Sequence, residues 1–184
     1  MAAAREQTGR ATRYAPSLWG NLDQLRDQIR LAVDNGLDTV LIAPMIAGLP
    51  AFHALRREFP DIAFMGHPSF TGGTRIAPPL LLGKLFRLFG VDATIFVNHG
   101  GRFSYAPEMC LAVAEAARQP WNGIAACAPV PAGGMTTQRV PEMLDFYGPD
   151  VMLLIGGDLL LARERLTEET ARFQQTVEDY RHRN

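Results

Sequence analysis

Two glycine pairs stand directly behind apolar runs: Gly133-Gly134 in "PAGGM" and Gly156-Gly157 in "LIGGD". Glycine at such a place lets the backbone approach a ligand and turn its N–H groups toward an anion. Two earlier runs also end in glycine-containing loops, "GHPSFTGGTR" with His67 and "NHGGRFSY" with His99 and Arg102. A single glycine behind a strand is ordinary turn chemistry, but pairs behind two successive strands point to an anion. The His67 imidazole at a strand mouth can donate a hydrogen bond or carry a proton, and it can equally be structural. Arg102 has the fork that grips a carboxylate or phosphate through two bonds. His53 falls inside a helical pattern and reads as a surface or packing residue. Asp158 is an acid at a strand end that can equally cap the next helix. Neither G-x-x-x-x-G-K-[ST] nor a G-x-G-x-x-G behind a first strand is present, so no nucleotide loop is indicated.

The elements that must hold these residues are strands alternating with helices. Continuously apolar runs at 38–44, 62–66, 92–97, 124–130 and 150–157 read as strands buried on both faces. A sixth strand is possible near "TRYA", residues 12–15. Between them, Leu22, Leu25, Ile29, Ala32 and Val33 form one helical face, stopped by Asn35-Gly36. "PPLLLGKLFRLFG" is apolar almost all round and reads as a buried helix, and Pro107 suits the first position of the next. "TTQRVPEMLDFYG" reads as a shorter helix interrupted at Pro141, and a last helix runs from Thr167 to about Tyr180. The alternation predicts an α/β fold with a parallel sheet and outer helices. An open doubly wound sheet and a barrel both fit it, and both bind ligands at the carboxyl ends of the strands.

Composition narrows the function classes. The chain has 184 residues, 47% hydrophobic and 20% charged, with a net charge of −1. That allows one domain with a real core, here all of 1–184 with 1–10 as a disordered tail. The balanced charge excludes a strongly basic nucleic-acid binder. The most apolar segment is broken by Pro44, Gly48 and Pro50, which reads against a membrane span. Cys110 and Cys127 lack metal-ligand spacing and read as reduced core thiols. With no apolar signal segment at the start, a cytoplasmic protein is expected.

Several of these stretches come in a recognisable order. "LLGKLFRLFGVD", "GGRFSY" and "PVPAGGM…VPEMLDFYGPDVMLLIGG" resemble the C-terminal part of RuBisCO-like proteins, the non-carboxylating relatives of RuBisCO large subunits. The resemblance runs from about residue 12 to about 175. It implies a partial (β/α)8 barrel carrying about strands three to eight. It implies that Gly133, Gly134, Gly156 and Gly157 hold one phosphate of a sugar phosphate, and that His67 faces the substrate. Arg102 would lie in the region of the mobile loop after strand six. It further implies Mg2+-dependent enolisation of a phosphorylated sugar-derived substrate, by an isomerase, decarboxylase or transcarboxylase type of enzyme, and a dimer with shared active sites.

The departures from that pattern also carry meaning. The mobile-loop region "NHGGRFSYAPE" has no lysine, Pro68 follows His67 where RuBisCO has arginine, and Ala132 stands where RuBisCO has serine. These read against ribulose-bisphosphate carboxylation. The Lys-x-Asp-Glu cluster that would hold Mg2+ occurs nowhere in the sequence, and the one lysine, Lys84, sits in the buried-looking helix. Two readings follow. The chain is part of a RuBisCO-like enzyme whose remaining strands come from elsewhere, or it is an inactive phosphate-binding and association module lacking the metal site. A six-strand arc exposes both flanks, so a homodimer or a complementing barrel segment is the expected partner, with no nucleic acid and no membrane.

Overall fold

The apolar runs pair in the order in which they occur. A computed structural model describes Glu6, Gly9 and residues 12–103 and 105–183; the tail expected over 1–10 lies outside these but for Glu6 and Gly9. Strands β1 (Ser17–Leu18), β2 (Thr39–Ile42), β3 (Ala63–Gly66), β4 (Ala93–Val97) and β5 (Ala128–Ala132) form one sheet, order β1-β2-β3-β4-β5, parallel throughout. An unbroken sequential order is how a barrel winds, whereas a doubly wound sheet reverses direction part-way. The described fold is therefore an arc of a (β/α) barrel.

Apart from a single helical turn at Pro44–Ala47 and short 3-10 turns, the helices are α1 (Leu22–Asp34), α2 (Leu49–Glu58), α3 (π-helical Pro79–Leu85 running into Phe86–Leu88), α4 (Pro107–Arg118), α5 (Val140–Tyr147), α6 (Gly157–Leu161) and α7 (Leu166–Arg183). α1 begins in a reciprocal cap. The Asn21 side chain accepts from Gln24 N at 2.9 Å, and Gln24 Oε1 accepts from Asn21 N at 3.0 Å. Leu25, Ile29 and Ala32 face the core, but Val33 lies off that face and is 45% exposed. At the α3–α4 contact Gly83 has no room for a side chain: a Cβ there would lie 2.5 Å from Ala116 Cβ. α3 is less enclosed than its composition suggests, since Leu80 and Leu88 are exposed. Pro141 does not interrupt a helix. A 3-10 turn, Thr137–Arg139, precedes α5, and Pro141 sits in the helix's first turn, where a missing N–H costs nothing.

Strand alternation sorts the core into two layers. Val40, Ile42, Phe64 and Phe96 point outward and are buried with Leu25, Phe52, Leu81, Phe86, Val113 and Met143 from the helices. Ala93, Ile95 and Val130 point to the concave side, where Leu41, Met65, Ala128, Ala132 and Leu154 are only partly buried. Cys110 and Cys127 are free and buried, and burial raises both thiols, Cys127 to about 12.

Three strand expectations shift, two of them for evident reasons. The run at 150–157 does not form a strand. Ala128 donates its N–H to Asp92 O at 2.8 Å, toward β4. Alternate residues of a parallel strand face alternate neighbours. The donors at 129 and 131 would thus face the 150–157 run, and both positions are proline. That edge accepts but cannot donate: Met152 N reaches Pro129 O at 3.0 Å, and Leu154 makes an isolated parallel bridge to Ala132. The fourth run, 124–130, enters the sheet only at Ala128 because Arg87 holds its start. The guanidinium donates to Ile124 O at 2.7 Å and Ala125 O at 3.1 Å, drawing those carbonyls out of the ladder. The first strand lies at Ser17–Leu18, just past "TRYA".

Candidate functional site

The carboxyl ends of β5 and of the Leu154 bridge bring the two glycine pairs together. Gly133, Gly134, Gly156 and Gly157 line one pocket of about 330 Å³, with Met135, Thr136, Leu154, Asp158 and Leu161. Gly133 (φ 96°) and Gly134 (φ 65°) are both left-handed, a run of backbone that side chains resist. Among the described residues, the N–H groups of Gly134, Gly156 and Gly157 have no recorded protein acceptor, whereas the parallel bridge between Ala132 and Leu154 turns the Gly133 N–H toward Leu154 O. Unpartnered amides in a concave wall are what an anion needs. Asp158 sets a carboxylate in the same wall, so attraction for an anion there rests on these amides.

Backbone packing joins this turn to the loop after β4. A Cβ on Gly134 would lie 2.6 Å from Gly100 O and 2.8 Å from Gly101 Cα. Beneath the loop, Tyr147 Oη donates to Asn98 Oδ1 at 2.6 Å and the Asn98 amide points to Met143 Sδ at 3.3 Å, all buried. Burial pushes the Tyr147 hydroxyl upward, so it stays a donor. His99 packs its ring against Phe146 at 4.7 Å, and its Nε2 is buried without a partner.

His67 follows β3 with its N–H on Ile42 O at 2.8 Å. Its Nδ1 lies 3.2 Å from Ser69 N and 2.7 Å from Ser69 Oγ. A backbone N–H can only donate, so Nδ1 accepts and Nε2 carries the proton. Partial burial lowers the imidazole below its ordinary value of 6.5. The unfolded chain then takes up the proton first as pH falls. The stability His67 contributes is present above 6.5 and is lost as pH drops through 6.5 toward the lower folded value. A nitrogen-detected NMR titration is expected to show an Nε2–H tautomer with a midpoint below 6.5; a midpoint at or above it, or an Nδ1–H tautomer, would refute this assignment.

Arg102 is not drawn into the glycine pocket. It is exposed, with its guanidinium 5.4 Å from the Phe103 ring centroid, and the loop meets the glycine turn through Gly100 and Gly101 instead. Neither His67 nor Arg102 lines the pocket. Asp158 lies within α6 and makes no cap bond. Lys84 stands 5.6 Å from the Trp121 ring centroid.

No family model matches the chain. It is 63% identical over 171 residues to the 5-methylthioribulose-1-phosphate isomerase of Rhodospirillum rubrum, covering 93% of this chain and 46% of that protein. It is 53% identical over 169 residues to ribulose bisphosphate carboxylase-like protein 1 of Rhodopseudomonas palustris, covering 92% of this chain and 46% of that one. A crystal structure of a Rubisco-like protein from Rhodopseudomonas palustris superposes with a TM-score of 0.90 at 49% identity, over 97% of this chain and 48% of its own. The chain belongs to the RuBisCO-like proteins.

This RuBisCO-like chain spans about half the length of the curated relatives it matches. Among the described residues, no three His, Cys, Asp or Glu side chains gather at one place, so a ready-made cage of protein ligands for a metal ion is not among them. Among the described residues, too, no helix is long and apolar enough to cross a membrane. Sequence reasoning missed Arg139, whose Nη1 donates to Gly134 O at 2.8 Å. Its signal was its place in "GGMTTQRV", just behind the glycine pair and before α5.

Proposed function

We propose that this chain supplies the phosphate-holding part of a RuBisCO-like enzyme acting on a phosphorylated, sugar-derived ketose, of isomerase or enolase type and not a carboxylase. The observation that carries this reading is the meeting of both glycine pairs on one pocket, with the N–H groups of Gly134, Gly156 and Gly157 unpartnered among the described residues. The relative 63% identical over 171 residues, named as an isomerase of a methylthio sugar phosphate, supports the substrate class. Gly134, Gly156 and Gly157 receive the phosphate through backbone N–H groups. His67 presents Nε2–H at the mouth of β3, suited to hydrogen-bond a substrate oxygen while staying neutral. Arg102, exposed on the loop after β4, is free to meet substrate or a second copy only if that loop moves. Mg2+ chemistry in this reading needs ligands beyond the described residues, so none of these roles is routed through the metal.

Calorimetry with 5-methylthioribulose 1-phosphate and with its dephosphorylated sugar tests the reading. Binding of the first, with at least tenfold weaker binding of the second, is expected. Equal binding of both, or of neither, sinks the phosphate grip. A second reading, a phosphate-binding association module, is favoured by the donor set of the described residues, in which no three His, Cys, Asp or Glu side chains gather. Mg2+-dependent exchange of the substrate proton beside the carbonyl, measured on the chain alone by deuterium incorporation, would exclude it.

A further inference from the structure

Arg139 lies between the two loops that interlock at the pocket. Its Nη1 donates to Gly134 O at 2.8 Å and reaches His99 O at 3.4 Å, so one nitrogen spans both. Its Nε and Nη2 are held by Glu142 at 3.0 and 2.8 Å, a fork-to-carboxylate pairing that fixes the guanidinium plane. Nη2 also lies 3.5 Å from His99 Nδ1. The backbone rests directly on this group, since a Cβ on Gly100 would lie 3.1 Å from Nη1. An ion pair serving α5 alone would need only Glu142. The two carbonyl contacts belong to loops on different strands.

The geometry points to Arg139 as the positioning residue that orients the Gly133-Gly134 turn for anion binding, an inference that rests on the phosphate reading above. Two successive left-handed residues need their carbonyls anchored if their N–H groups are to stay turned to the ligand. A carbonyl left free could swing toward the pocket and repel an anion. Arg139 holds Gly134 O and ties it to the carbonyl of His99. Lysine keeps the charge beside Glu142 but has no planar fork, so it cannot hold Glu142 and bridge two loops at once.

The test uses the full chain, inorganic phosphate as probe, and the variants Arg139→Lys and Arg139→Met. Phosphate affinity by calorimetry is expected to fall about tenfold in both, the scale of one lost charge-assisted bond. Backbone NMR order parameters at Gly100, Gly133 and Gly134 are expected to fall from the rigid range near 0.85 toward 0.6. Arg139→Lys keeps its charge on Glu142 and is the variant to read if Arg139→Met fails to fold. Wild-type affinity in Arg139→Lys, or unchanged order in either folded variant, overturns the positioning role and leaves the phosphate reading standing. No phosphate binding by the wild-type chain overturns both.

Discussion

Replacing Arg87 by methionine is expected to destabilise the fold by about 3–5 kcal/mol, because several backbone carbonyls lose their donor at roughly 1–3 kcal/mol for each one left buried and unsatisfied. The side chain is 4% exposed and has no acidic partner within ion-pair distance among the described residues. Its charge is met by carbonyls: Ala116 O at 3.2 Å, Gln119 O at 2.8 Å, Ile124 O at 2.7 Å and Ala125 O at 3.1 Å. The Trp121 ring centroid lies 5.7 Å from it. Methionine fills much of the volume but leaves those acceptors without donors, the contact to Ala116 O being the fully buried one. Arg87→Lys should recover only part of the loss, because one ammonium cannot reach carbonyls spread around a planar fork. Urea unfolding at constant slope reads the effect, and a loss below about 1 kcal/mol would mean that water replaces the arginine.

The same residue shows where the sequence was legible and where it was not. β2, β3 and β4 fall inside their predicted runs because a buried parallel strand needs only a continuous apolar segment. Arg87, inside a helix apolar but for Gly83 and Lys84, carries no pattern announcing that it will claim two carbonyls from the fourth run. Pro129 and Pro131 were a readable signal in "APVPA": they leave β4–β5 pairing intact and strip donors from the far edge. Barrel winding was not in the periodicity at all and came from sheet order, in agreement with the resemblance. At the site, the glycine pairs were visible as composition, but their meeting depends on tertiary packing. The left-handed Gly134 lies against Gly100 and Gly101, residues far away in sequence, and no local rule predicts that contact.

Gly134→Ala is expected to be the most damaging of the four glycine substitutions, and the ranking among them separates packing from ligand approach. At Gly134 an added methyl meets Gly100 O at 2.6 Å, and backbone cannot step aside as a side-chain tip can. The left-handed φ of 65° adds about 1–2 kcal/mol for any residue with a Cβ, and the forced separation of the loops about 1–3 kcal/mol more. Gly133 shares the left-handed conformation, φ 96°, but an added Cβ meets nothing within 4 Å, so Gly133→Ala should lose only the conformational part. Gly157→Ala has neither penalty and should leave the melting temperature unchanged. Phosphate titration of the same variants then decides the role of the space in front of them. If Gly157→Ala melts like wild type yet binds phosphate at least tenfold more weakly, the methyl blocks a ligand that approaches the bare backbone. If only Gly134→Ala weakens binding, the glycines serve the interlock of the two loops and the anion is held elsewhere. A Gly134→Ala chain as stable as wild type would show that the β4 and β5 loops separate freely, and the interlock itself would have to be given up.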